Sequence, residues 1–314
     1  MRVLVTGIAG FLGSHVAERL LARGDEVVGL DNFDPFYARA VKERNLSGLA
    51  GRATVVEGDV CDARLLEDLL SRGMFDAVVH LAALAGVRPS IEAPARYQEV
   101  NVVGTARLAE ALVRHGLQRL VFASSSSVYG DNSELPYAED QRVDRPASPY
   151  AASKRAGELL LEIFHKLHGI NVTCLRYFTV YGPRQRPEMA IHKFCRLVDR
   201  GEPLPVFGDG QSSRDYTYVD DAIDGTIAAL DRAPRGFTIY NLGNTKPVTL
   251  ARLVELVGTA LGKTPLVDPR PEQPGDVLRT WASVDRAAAD LDYQPKVAIE
   301  EGLRRFVAWM RSQP

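Results

Sequence analysis

The chain has 314 residues, long enough to bury a sizeable core without disulfide or metal staples. Its 46% hydrophobic and 25% charged residues give the balance of a soluble globular protein. Lys and Arg total 38 against 40 Asp and Glu, so no basic excess exists to attract nucleic acid. Three widely spaced cysteines without a CxxC exclude a disulfide framework and point to a reducing, cytoplasmic setting. No segment approaches the ~18 uninterrupted apolar residues of a membrane span. Arg2 and the apolar run Val3–Gly13 imitate a secretory signal, but evenly spaced glycines and an amphipathic continuation mark retained structure.

In chain order, short β-branched runs fall at Val3–Thr6, Glu26–Leu30, Ala53–Val56, Ala77–Leu81, Leu120–Ala123 and Val172–Tyr177. Helical spacing separates several of them. Leu12, Val16, Leu20 and Leu21 share one face, as do Leu65, Leu66, Leu69 and Leu70. Longer helices are expected over Ala95–His115 and Ser148–His168. This alternation predicts a doubly wound α/β fold with a parallel sheet covered on both faces. After Gly182, Pro and Gly punctuate the chain and the helices shorten, at Ala190–Val198, Leu250–Leu261 and Ile299–Trp309. We expect residues 1–182, with 219–242 returning, to form the main domain. Residues 183–218 and 243–314 are expected to form a smaller, interleaved α/β lobe.

The run Thr6-Gly7-Ile8-Ala9-Gly10-Phe11-Leu12-Gly13 joins the first strand to the first helix. There the glycines serve a tight turn, close approach to a pyrophosphate, and close helix–strand packing. The helix then offers free N–H groups to phosphate. Asp31 ends the second strand and is placed to accept from an adenosine ribose while repelling a 2′-phosphate. Asn32 and Phe33 follow with no adjacent Arg, which favours NAD over NADP. Asp59, after the third strand, fits either the adenine edge or a helix N-cap.

Tyr150 and Lys154 are four apart and share a helix face. Ser148 and Pro149 make an N-cap and N1 pair just before them. Upstream, Ser124–Ser127 closes a strand at the carboxyl edge, where ligands bind in such sheets. A phenolate at pH 7 costs about 4 kcal/mol from a pKa near 10, and a neighbouring ammonium lowers that cost. Tyr150 would then take a hydroxyl proton as hydride leaves the same carbon, with a serine hydroxyl holding the reacting oxygen.

Together these residues resemble the extended short-chain dehydrogenases/reductases, in particular the nucleotide-sugar epimerases. The likeness runs through TGIAGFLG at Thr6–Gly13, HLAA at His80–Ala83, SSSSVYG at Ser124–Gly130 and YAASK at Tyr150–Lys154. It continues through LRYFTVYGPRQRP at Leu175–Pro187, SRDYTYVDD at Ser213–Asp221 and PGD at Pro274–Asp276. AGVRPS at Ala85–Ser90, PEMAIHKF at Pro187–Phe194 and DNFDPFY at Asp31–Tyr37 look most like UDP-glucuronate 4-epimerases.

The resemblance implies a Rossmann domain that holds NAD through Gly7, Gly10, Phe11, Leu12, Gly13, Asp31, Asn32, Asp59, Val60, Leu81, Ala82, Ala83, Tyr150, Lys154 and Tyr177. It implies Tyr150, Lys154, Ser125 and Ser127 as catalytic, and sugar-nucleotide contacts at Arg88, Ser125, Ser126, Thr179, Arg186, Phe207, Arg214 and Asp276. It also implies a homodimer formed by the helices Ala95–His115 and Ser148–His168. Related dehydratases carry Asp-Glu, and decarboxylases a Glu, where this chain has Ser126-Ser127. The implied reaction is therefore NAD-dependent 4-epimerisation of a UDP-sugar, most like UDP-glucuronate. UDP-glucose/UDP-galactose is the alternative, and a dehydratase or reductase a further one.

A uronate needs a donor for its carboxylate, and Arg88, Arg184 and Arg186 are the candidates. Glucuronate-type chains usually read Trp-Gly before the Arg, whereas this one has Arg184-Gln185, which keeps the glucose alternative open. His165 and His168, three apart, fall short of a metal site, and none is expected.

Overall fold

The computed structural model describes residues 1–132, 134–271 and 278–313. Its strands are β1 (Arg2–Thr6), β2 (Glu26–Asp31), β3 (Thr54–Glu57), β4 (Ala77–His80), β5 (Arg119–Ser125), β6 (Asn171–Tyr177), β7 (Thr179–Tyr181), β8 (Leu204–Phe207), β9 (Ser213–Tyr218), β10 (Phe237–Leu242), β11 (Pro247–Thr249) and β12 (Val267–Arg270). Seven form one parallel sheet in the order β10-β6-β5-β4-β1-β2-β3. The chain builds outward in one direction from β1 through β3 and then in the other from β4. The strand order thus reverses at β1 and β4, and this opens a crevice at their carboxyl ends.

The first six strands lie within a residue or two of the runs read from the sequence, and all but the exposed edge strand β3 are largely buried, as β-branched stretches bounded by turns imply. β1 shows this directly: Val3 and Val5 enter one core, with Val16 and Leu20 of the helix Phe11–Ala22. Leu4 enters the other, with Leu66, Leu70, Leu108 and Leu112. Each such fully buried Val or Leu contributes roughly 1.5–3 kcal/mol.

The expected helix over Ala95–His115 is interrupted. Pro94–Gln98 and Gly104–Arg114 are α-helical, joined by a π-helical turn at Glu99–Val103. The apolar pattern survives this change of pitch, so the sequence could not mark it. Beyond the main sheet, β11-β9-β7 and β12-β8 form two small sheets. β10 nonetheless returns to the large sheet beside β6, after the helix Val219–Arg232. No helix among the described residues is long and apolar enough to cross a membrane.

At the end of β4, fully buried His80 links three elements. Thr6 Oγ1 lies 2.7 Å from its Nδ1, and Thr105 Oγ1 lies 3.1 Å from its Nε2. Thr105 spends its own proton on the Asn101 carbonyl at 2.6 Å, so Nε2 carries the imidazole hydrogen and Nδ1 accepts from Thr6. Burial, reinforced by the charge of Lys154, pushes the imidazole down to about 3. The unfolded chain therefore holds a proton that the folded chain lacks below about pH 6.5. Stability present above that pH is lost as pH falls toward 3, at up to about 1.4 kcal/mol per unit. Denaturant unfolding between pH 7 and 4 should show a steeper loss for the wild type than for His80→Gln; parallel profiles would refute this linkage.

Candidate active site

A cavity of about 470 Å³ occupies the crevice. Its floor is the loop after β1. Gly7 has φ +75°, and a Cβ there would stand 2.8 Å from the Ala82 amide nitrogen, so both conformation and space demand glycine. A Cβ on Gly13 would fall 2.0 Å from the Gly7 carbonyl oxygen, which keeps the helix close against the loop. The helix begins at Phe11 with Gly10 as an N-cap that offers no side-chain acceptor, so its first N–H groups face the cavity. Gly7, Gly10, Phe11, Leu12 and Gly13 all line it. This cradle fits a pyrophosphate.

Asp31 and Asn32 border the same space. Asp31 is 6% exposed and accepts from the amides of Ala9 (3.0 Å) and Phe33 (2.9 Å), which tie the end of β2 to the glycine loop. Asp59 is not the N-cap of the following helix. That position belongs to Asp62, whose carboxylate accepts from the amides of Arg64 and Leu65. Asp59 accepts instead from the Cys61 amide at 2.7 Å and from Asn32 Nδ2 at 2.8 Å. Its neighbours Gly58 and Val60 face the cavity. Leu81, Ala82 and Ala83 form the opposite wall, continued by Leu84. Asn101, in the π-helical turn, fixes that wall by accepting from the Leu84 amide at 2.8 Å and donating to its carbonyl at 2.9 Å.

Ser148 caps the helix Pro149–His168 by accepting from the Ala151 amide at 3.1 Å, with Pro149 in the first turn, as the sequence suggests. Tyr150 and Lys154 both reach the cavity from this helix, facing Ser124–Ser127 at the end of β5. Tyr150 and Ser125 both line the cavity, and Ser125 is close enough to favour the ionised phenol. Ser125 Oγ lies 3.1 Å from Ser127 Oγ and accepts from the Ser127 amide at 3.2 Å. Lys154 Nζ donates to the Ala123 carbonyl at 2.8 Å and lies 5.2 Å from the Phe122 ring centroid.

The electrostatics differ from the simple expectation of a phenol acidified by its lysine. Burial dominates at Tyr150 and raises its pKa, against the opposing effects of Ser125 and the Arg186 charge. Burial likewise lowers Lys154 to about 7, with Cys174 and Glu158 partly opposing it. The protein's own groups thus favour the protonated phenol.

Further along the crevice, Thr179 of β7 and Arg186 line the cavity. Arg186 is held at the rim by Glu188 (3.2 Å) and the Ala85 carbonyl (3.4 Å). Arg184 turns elsewhere. Its φ of +66° sends the guanidinium to His15 at 3.0 Å and to Glu18, which removes it from the carboxylate donors considered above. Tyr177 touches the cavity, but its hydroxyl is 2.7 Å from Thr226 Oγ1 on the far side of the sheet. Ser126 lines the cavity, whereas Arg88, Phe207 and Arg214 are not among its lining residues. The Arg88 guanidinium lies 5.5 Å from the Phe207 ring centroid, and Arg214 donates to the carbonyls of Ser213 (3.0 Å) and Leu278 (3.4 Å). Asp276 lies outside the described residues.

Phe36, Tyr37, Lys42 and Met189 also line the cavity and were not singled out from the sequence as site residues. The aromatic pair in DNFDPFY was a signal in plain view. Lys42, on the short polar helix Arg39–Leu46, reads as a solvated residue until its surroundings are seen. Among the described residues, no group of three His, Cys, Asp or Glu could hold a metal ion.

Residues 3–243 match the family described as the NAD dependent epimerase/dehydratase family. A UDP-glucuronate 4-epimerase of Thermodesulfobacterium geofontis is 40% identical, over 98% of this chain and 95% of its own length. The structure of a Bacillus cereus UDP-glucuronic acid 4-epimerase in complex with UDP-glucuronic acid and NAD is similar with a TM-score of 0.92, at 35% identity and 99% of both chains. That of a Thermus thermophilus UDP-glucose 4-epimerase in complex with NAD gives 0.91, at 37% identity and 99% of both chains. The family match takes in both the glycine cradle and the Tyr150 helix, and the structural likeness extends over nearly all the rest; the chain belongs to the NAD dependent epimerase/dehydratase family.

Proposed function

We propose that the protein interconverts the C4 epimers of a UDP-sugar, UDP-glucuronate and UDP-galacturonate, with NAD as resident cofactor. The observation that carries this is the convergence of Tyr150, Lys154 and Ser125 on one cavity that the glycine cradle also lines. The cradle, Asp31 and Asn32, and the wall Leu81–Ala83 would hold NAD, with residues 1–182 and 219–242 as its domain. Residues 183–218 and 243–314 would take the sugar nucleotide, Arg214 suiting its diphosphate, Phe207 its base and Asp276 its ribose. NAD, when bound, supplies the acceptor and later the donor of the C4 hydride.

The chain's own groups handle the proton. Tyr150 takes it from the C4 hydroxyl, and its phenol returns it when the ketone is reduced. Ser125 and Ser127 hold the reacting oxygen in line, and Lys154 anchors this arrangement to the Ala123 carbonyl. Ser126 and Ser127 offer no carboxyl acid to expel water, so the 4-keto sugar takes its hydride back, after turning over, with inverted configuration. Thr179 borders the sugar, and Arg186 faces its C6 carboxylate and keeps the β-keto acid from the geometry that loses CO2.

UDP-glucose is the second reading, favoured by Arg184-Gln185 where glucuronate-type chains read Trp-Gly. The three cysteines, all free, accord with a cytoplasmic enzyme. A homodimer is supported by an exposed apolar stripe of Leu159, Ile163 and Leu167 on the Tyr150 helix, with Val103 exposed on the helical segment packed beside it.

Anomeric-proton NMR should show the 4-epimer forming from UDP-glucuronate without added NADH. Tyr150→Phe should lower turnover by about 10²–10⁴-fold, and a variant with wild-type turnover would remove Tyr150 from the mechanism. Arg186→Met should shift preference from UDP-glucuronate toward UDP-glucose by about tenfold or more in kcat/KM, and an unchanged ratio would exclude Arg186 as the carboxylate partner. Light scattering at micromolar concentration should give a dimer mass that falls to the monomer value in Leu159→Glu/Ile163→Glu.

A further inference from the structure

Lys42 is 6% exposed and lines the cavity beside Asp31. Its Nζ stands 3.8 Å from Asp31 Oδ1, beyond hydrogen-bond length, and 5.0 Å from the Tyr37 ring centroid. Both Asp31 oxygens already accept backbone amides, from Phe33 at Oδ1 and Ala9 at Oδ2. Arg39, on the same helix, is committed elsewhere. It forms a fork on Glu57 at 2.8 and 2.7 Å, bonds Glu43 at 2.8 Å and stacks on Phe33. An ammonium that lines the cavity at this distance from its counter-charge keeps donor capacity for an oxygen on the cavity side.

We infer that Lys42 is a phosphate donor masked by Asp31, so that Asp31 favours NAD both by repelling a 2′-phosphate and by withholding the lysine from it. The inference rests on the cofactor reading above. With Asp31 present, the carboxylate offsets the lysine charge and repels a 2′-phosphate. Without it, the same place presents an uncompensated cation within reach of the ribose edge, ready to pair with that phosphate. Dinucleotide choice is then set by two residues from different elements, one closing β2 and one on the helix after it. A strand-end acid alone would give a pocket that loses its discrimination when the acid is removed. The pair gives one whose preference moves toward NADP.

The test is calorimetric titration of the full-length, dinucleotide-free protein with NAD and with NADP. Asp31→Ser, which also opens room for the phosphate, should tighten NADP by about tenfold or more, the scale of one charge-assisted hydrogen bond. That gain should vanish in Asp31→Ser/Lys42→Met. Lys42→Met alone should weaken NADP relative to NAD. Should Asp31→Ser fail to fold, the isosteric Asp31→Asn carries the same comparison. A gain that survives in the double variant, or an Asp31→Ser protein that binds NAD but gains no NADP affinity, overturns the inference. A wild type that binds neither dinucleotide overturns the cofactor reading beneath it, leaving the two failures distinguishable.

Discussion

The site depends on how the end of β5 is locked to the helix that carries Tyr150. Two bonds, one turn apart, make the lock: Lys154 Nζ to the Ala123 carbonyl and Ser124 Oγ to Glu158 at 2.6 Å. Glu158 is fully buried and grips Arg176 of β6 through two bonds, at 2.9 and 3.0 Å, with Arg155 at 3.0 Å on its outer side. Burial alone would raise the Glu158 carboxyl, but Arg176, Ser124 and Arg155 outweigh it and hold the group below its ordinary value. An ion pair this deep adds little net stability over a well-packed apolar pair, yet losing one partner leaves a bare buried charge. Its role here is geometric, since two strands and the helix must keep one register for Ser125 to meet Tyr150.

That lock also explains why the phenol is not activated in advance. The lysine that a YxxxK spacing suggests as its activator is spent on backbone, and burial lowers its own affinity for a proton. Among the protein's own charges, the one that favours the phenolate is Arg186, which also lines the cavity.

Much of this was legible in the sequence because it rests on local rules. The glycine loop follows from steric limits that only glycine meets. The Ser148-Pro149 helix start follows from capping, and the first six strands from β-branched runs. What escaped depended on distant neighbours. The strands of the small sheets are three to six residues long, and β8, β11 and β12 carry Pro, so no sustained period develops. Arg184 and Arg186 are two residues apart in one loop, and nothing local says that a left-handed backbone at the first turns it away while the second faces the cavity. Lys42 looked like any lysine on a polar helix because its burial comes from Tyr37 and the end of β2.

β10 borders β6 in the sheet although β7, β8 and β9 lie between them in the chain. β6 keeps an unpaired row of amides and carbonyls until residues 237–242 dock against it, and by then the intervening segments β7, β8 and β9 have been threaded through. A fragment that stops after β6 would present that raw sheet border to other molecules, inviting intermolecular strand addition. The interleaved order thus leaves the large sheet incomplete until residues 237–242 have been made, well after the segments that form β7, β8 and β9.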